Sequence, residues 1–208
     1  NYISCITYAE GCWVVGGCYL NASSGGAQIA YAADPTGNWT NVYLWSRNAS
    51  SSGNIINCIT YAGGYWAVGG MSYNGDVNTA RIAYATDLTD TWIIKDLWDS
   101  SGTASINCIA YADDYWVVGG VCFANNYISN IAYTLNPANE WVIKEVWRSV
   151  YTNVSSINCI AYGNGYWIGG GHVNTGDANR ARICYTDSSL VELPIISMDG
   201  VYTYIKAN

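Results

Sequence analysis

Charge is scarce in this chain. Only 11% of its 208 residues are charged, and eight Lys and Arg against fifteen Asp and Glu leave a net charge of −7. Without a basic stripe, nucleic acid and anionic membrane surfaces are excluded as main partners. Long apolar runs are also missing, nothing approaching the ~18 residues of a membrane-spanning helix, so no membrane insertion is expected. There is one histidine, His172, and no Cys-x-x-Cys pair. No zinc set can be built from these, and no metal and no cofactor are expected. The sequence has no nucleophile elbow, phosphate loop or metal-binding histidine pair, so no catalytic residue is assigned. Helical periodicity is absent throughout, which points to an all-β chain. The first residues carry no basic-then-apolar leader pattern, and a start at Asn1 instead of Met is expected of a processed protein or of a piece of a longer one.

Aromatic residues, by contrast, are abundant: ten Trp and nineteen Tyr, in a chain that is half apolar. This composition belongs to a folded protein. The stretch from Ser105 to Gly120, two short apolar runs joined by Asp113-Asp114, recurs four times. Its cysteine stands at Cys5, Cys58, Cys108 and Cys159, spacings of 53, 50 and 51 residues. Units of this size cannot bury a core alone and must lean on one another. A single domain over 1–208 is therefore expected, with repeats of about 2–54, 55–104, 105–155 and 156–208.

Each repeat reads as four strands. The first is the Ile-Asn-Cys-Ile-Ala-Tyr run, expected to be buried on both sides. A tight hairpin turn follows at Glu10-Gly11, Gly63-Gly64, Asp113-Asp114 and Asn164-Gly165. The second strand begins at Trp13, Trp66, Trp116 and Trp167 and ends at a Gly-Gly pair. Variable segments, Cys18 to Ala27, Met71 to Ala80, Val121 to Ser129 and Gly171 to Ala181, read as loops. The third strand carries Tyr31, Tyr84, Tyr133 and Tyr185. The fourth carries tryptophans six apart, Trp39 and Trp45, Trp92 and Trp98, Trp141 and Trp147, expected on one face because the spacing is even. The fourth copy departs after Tyr185, and Val201 to Ile205 alternates like one more strand. Four short antiparallel strands per period of about fifty describe a β-propeller, here of four blades, with a ring that closes on itself favoured over a fragment of a longer array. A solenoid of tandem β units would have shorter coils.

The cysteines sit at repeat-equivalent positions and read as small buried hydrophobes, not as a disulfide framework. Cys184 stands where other copies have Ala30, Ala83 and Ala132, and Cys18 where they have Met71, Val121 and Gly171.

The segment from Ala85 to Trp92 resembles the Asp-box, the Ser-x-Asp-x-Gly-x-Thr-Trp hairpin of sialidase-type (BNR) propeller repeats, through Asp87, Thr91 and Trp92. Asp34 with Trp39 is a weaker copy, and Asn136 replaces the acid in the third. The order Val68, Gly69-Gly70, Tyr84, Trp92 is similar to a kelch repeat. Both resemblances imply a propeller, and the Asp-box implies a folding device rather than an active site.

A sialidase would need three converging arginines, and Arg81 with Arg182, and Arg47 with Arg148, occupy near-equivalent repeat positions that read as scaffold. Paired carboxylates for another glycosidase are not evident, since Asp34, Asp87, Asp113, Asp114 and Asp187 fall in turns. His172 is conceivable as a general base or as a plain surface histidine. Asn74 to Asn78 and Asn174 to Asn179 offer oxygen ligands of a kind calcium takes, or ordinary turns. In a four-strand blade the variable segments all leave on one side. Tyr19, Asn21, Tyr73, Asn74, Asp76, Phe123, Asn126, Tyr127, His172, Asn174 and Asp177 are thus the candidate ligand-binding residues, aromatics and amides suited to a glycan or to a surface protein. The expected function is non-catalytic recognition or adhesion. The alternatives are a spacer or assembly domain of a fibre, self-assembling or within a longer chain, and a fragment of a larger glycoside hydrolase. Low charge and abundant Asn, Ser, Thr and Tyr look similar to bacterial surface and phage tail proteins, which implies an extracellular or virion-surface location.

Overall fold

The computed structural model of the chain describes residues 2–20, 25–46, 53–123, 127–149, 155–174, 179–187 and 196–198. They form four sheets of four antiparallel strands, each a simple meander. The first blade is β1 (Tyr2–Ala9), β2 (Cys12–Leu20), β3 (Gly25–Ala32) and β4 (Thr40–Ser46). The second is β5 (Ile55–Ala62), β6 (Tyr65–Tyr73), β7 (Asn78–Ala85) and β8 (Ile93–Ser100). The third is β9 (Ala104–Ala112), β10 (Tyr115–Phe123), β11 (Tyr127–Thr134) and β12 (Val142–Arg148), and the fourth β13 (Ser155–Gly163), β14 (Tyr166–Asn174), β15 (Asn179–Asp187) and β16 (Ile196–Met198). The chain is an all-β propeller-type array of four blades. Val201 to Ile205 lies outside the described residues.

A shared irregularity explains why Gly-Gly recurs. The pairing of first and second strands slips by one at Ser4, Asn57, Asn107 and Asn158, a β-bulge opposite the glycine pair in every blade. At the second glycine a Cβ would collide with the bulged strand's own carbonyl, Ile55 O at Gly70 and Ser105 O at Gly120. At the first, it would lie 2.5 to 2.7 Å from an isoleucine Cγ2 of the next blade: Ile56 on Gly16, Ile106 on Gly69, Ile157 on Gly119. The register also corrects the sequence alignment of the fourth copy. Gly170 and Gly171 are its bulge pair, so His172, not Gly171, answers to Cys18, Met71 and Val121.

A second bulge, at Leu44, Leu97 and Val146, overturns the expectation that both tryptophans of the fourth strand share a face. One inserted residue flips everything beyond it to the other side. Trp92 packs into the cluster between the first and second blades, whereas Trp98 packs between the second and third. Trp141 and Trp147 divide in the same way.

Among the described residues the core is therefore three slabs, one at each blade junction. Val14, Ile29 and Trp45 meet Ile56, Trp66 and Trp92 at the first. Ala67, Ile82 and Tyr84 meet Ile106, Trp116 and Trp141 at the second, and Val117, Ile131 and Trp147 meet Ile157, Trp167 and Cys184 at the third. First strands touch in sequence, β1 on β5, β5 on β9, β9 on β13, and among the described residues no comparable set joins β13 to β1. The first strand is consequently not buried on both sides in every blade: β1 is exposed along most of its length, packing mainly on β2 and β5 among the described elements.

Candidate functional site

The hairpins from second to third strand carry the variable residues, and they are tighter than the sequence suggests. Ladder pairing runs on to Leu20↔Gly25, Tyr73↔Asn78, Phe123↔Tyr127 and Asn174↔Asn179. Tyr19, Tyr73, Phe123, Tyr127, His172 and Asn174 are thus strand-end residues rather than loop residues. Their side chains alternate between faces under the pleat, which a loop would not impose. Asn74 and Asp76 remain in the connection. Asn21, Asn126 and Asp177 lie outside the described residues.

Local geometry fixes several of these groups. Asn74 Oδ1 accepts from the backbone amides of Asp76 at 3.0 Å and Val77 at 2.9 Å, so its oxygen serves the turn. Tyr73 donates its hydroxyl to Gly75 O, and its backbone amide donates to Asn54 Oδ1 at 3.1 Å. Phe123 and Tyr127 stack with centroids 4.1 Å apart and planes 26° from parallel, half-buried. The Phe123 amide donates to Thr103 O at 2.7 Å, which ties this pair to the preceding linker. In the fourth blade Ser149 Oγ donates to Asn174 O at 2.7 Å, and His172 Nδ1 lies 3.4 Å from Asn158 Nδ2. The contacts thus join candidates within a blade or to the linker before it. Tyr43 was missed by sequence reasoning: it is 63% exposed and its ring stands 6.1 Å from Tyr19 at 82°. Its strand position is held by Asp96 and Glu145 in the next two blades, a polar pattern that could have marked it.

The carboxylates have other partners. Arg81 grips Asp96 bidentately, at 2.5 and 3.0 Å, and donates to Ser72 Oγ at 3.1 Å. Arg148 holds Glu145 at 2.8 and 2.6 Å. At the opposite end of the blades, Asp34 Oδ1 accepts from the Thr36 hydroxyl at 2.7 Å and amide at 2.9 Å. Asp87 accepts from the Thr89 amide at 2.8 Å and hydroxyl at 2.7 Å, and Asn136 Oδ1 takes the Ala138 amide at 2.9 Å. These bonds hold the Asp34 and Asp87 carboxyls below the usual range. Among the described residues no group of three or more His, Cys, Asp or Glu is placed to hold a metal ion. Burial pushes the Cys5 thiol up to about 11 and that of Cys108 up to about 12, as expected of packed side chains rather than reactive ones.

No family model matches the chain, and no curated protein matches it. Solved structures do. A Trypanosoma rangeli sialidase in complex with sialic acid superposes with a TM-score of 0.51 at 13% identity, over 89% of this chain and 35% of that one. An endo-1,4-beta-xylanase from Bacteroides thetaiotaomicron gives 0.50 at 9% identity, over 94% of this chain and 71% of that one. The chain thus spans about a third of the sialidase's length. At such identities the likeness concerns the fold, and it agrees with the β-propeller that both repeat resemblances implied.

Proposed function

We propose that this chain is a non-catalytic recognition module whose ligand, a glycan of an extracellular or virion surface, meets the end of the blades that carries the second-to-third-strand hairpins. The observation that carries this reading is the Phe123–Tyr127 stack, half-buried at that end and backed by the linker through Thr103. A rigid aromatic face suits the apolar side of a pyranose, and Tyr73, Asn74 and Asp76 on the neighbouring blade supply polar groups for hydroxyls. Asp96 and Glu145 are tied to arginines, and Asp34 and Asp87 serve turns at the far end, which favours binding over acid–base chemistry. A glycan array read with the intact chain should show binding that Tyr127→Ala or Tyr73→Ala abolishes while the circular dichroism spectrum is unchanged. Binding that ignores both substitutions contradicts the proposal.

A second reading has its own support. The sialidase and xylanase to which the chain is similar are enzymes, and the chain covers only part of each. A piece of a larger glycoside hydrolase would show turnover of chromogenic glycosides once its remaining blades were restored.

A further inference from the structure

The two outer faces of the array are the separated halves of the junction that joins its blades. On the incoming half stand Ile3 and Ile6, 67% and 61% exposed, whereas Ile56, Ile106 and Ile157, at the position of Ile3, are 0% exposed. On the outgoing half stand Ile168 and Ile183, 45% and 50% exposed, whereas Val14 and Ile29, and Ala67 and Ile82, are fully buried at the same positions. Gly170 has the surface that Gly16, Gly69 and Gly119 offer to an isoleucine, and among the described residues only Cys159 Sγ stands beside it. The bulge amides repeat the pattern. Asn57 Nδ2 donates to Ile106 O at 2.8 Å and Asn107 Nδ2 to Ile157 O at 3.1 Å, while the equivalent Asn158 stands exposed near His172. In the first blade a groove of about 560 Å³, lined by Tyr2, Ile3, Gln28, Trp39 and Asn41 among others, lies on the incoming half.

We propose that the chain pairs head to tail with a second copy, the β1 face of one seated on the β14–β15 face of the other. Ile3 of each copy then covers Gly170 and Cys159 of its partner, and Asn158 donates to the partner's Ile3 carbonyl. The interface continues the three junctions already within the chain, with matching residue types on both sides. Those junctions are closed to 0% exposure at their isoleucines, yet among the described residues β1 and β13 share no comparable contact. Two copies supply eight blades, within the range of about four to eight over which such rings close. A head-to-tail contact that closes gives a finite ring.

Light scattering on gel-filtered chain should return the mass of two chains. Ile3→Asp and Ile183→Asp, both on exposed side chains, should each give single chains with unchanged circular dichroism. Mixing the two variants should restore a two-chain species, because each retains the face the other has lost. Independently, oxidised Ile3→Cys should run as a cross-linked pair of chains on a non-reducing gel, and adding Cys159→Ser should abolish that band even if the aspartate variants fail to fold. A single-chain mass for the unaltered protein, a ladder of masses beyond two chains, failure of the folded variants to complement, or an Ile3→Cys bond to Cys159 within one chain would each overturn the proposal.

Discussion

At Asp113 and Asp114 two consecutive non-glycine residues hold φ of 49° and 61°, where the equivalent turns place Gly11 at 75°, Gly64 at 79° and Gly165 at 79°. The left-handed region crowds a Cβ against the following carbonyl, so the Asp-Asp turn is strained relative to its siblings. Asp114→Gly is expected to raise stability by about 0.5–1 kcal/mol, seen as a higher urea midpoint at constant slope. It removes a hydroxyl contact from Tyr111 at 3.3 Å, exposed and weak. The Asp-box acids give a pH signature. Because the Thr36 and Thr89 donors lower the folded-state values of Asp34 and Asp87, their contribution is present at neutral pH and is lost as pH falls below the usual aspartate range of about 4 through those lowered values. Asp87→Asn should keep the turn, as Asn136 does, and flatten the acid limb of a melting-temperature profile between neutral pH and pH 3. Both turn types could be read from sequence, because two-residue hairpins and Asx bonds depend on residues a few positions apart.

Bulges, the main device at the level of the strand, could not be read that way. The sequence shows Asn57, Asn107 and Asn158 at one repeat position, and alternation alone would treat them as ordinary strand residues. In the structure they are the inserted residues, and in the second and third blades they reach across to the next one. Asn107→Ala should cost about 1–3 kcal/mol by leaving the buried Ser156 and the Ile157 carbonyl without that donor. Asn158→Ala, which loses the acceptor of the Ser156 hydroxyl at 2.8 Å but no bond to a following blade, should cost less in single chains, and differential scanning calorimetry of the two variants separates the cases. Gly69→Ala tests the close approach, since its methyl would press on Ile106 Cγ2 at 2.5 Å, and should destabilise by about 1–3 kcal/mol. The even spacing of the fourth-strand tryptophans misled for the same reason: Leu97 adds one residue between Trp92 and Trp98, and a period-two argument holds only along an unbroken ladder.

Across the whole molecule, stability comes from junctions between blades rather than from within them. Ile106→Ala, at 0% exposure in the second junction, should cost about 2–5 kcal/mol. Ile3→Ala, its repeat equivalent at 67% exposure, should cost almost nothing in separate chains and weaken the proposed pairing instead. Urea melts at low concentration, paired with mass measurements at high concentration, check both. The number of blades, their strands and their shared core positions were legible in the four-fold repeat, because apolar periodicity and turn chemistry are local and written four times. Of the candidate binding residues, the sequence placed Tyr19, Tyr73, Phe123, Tyr127, His172 and Asn174 beside the second-to-third-strand connections, where the structure has them, but on loops instead of strand ends. What each side chain touches depended on where ladder pairing stopped. The sequence by itself thus determined four like units and the residues that glue them. Which faces remain uncovered, which glycines meet a neighbour and which tryptophan points forward or back were decided by tertiary structure, because each follows from the register and rotation between sheets, set only when distant strands pack.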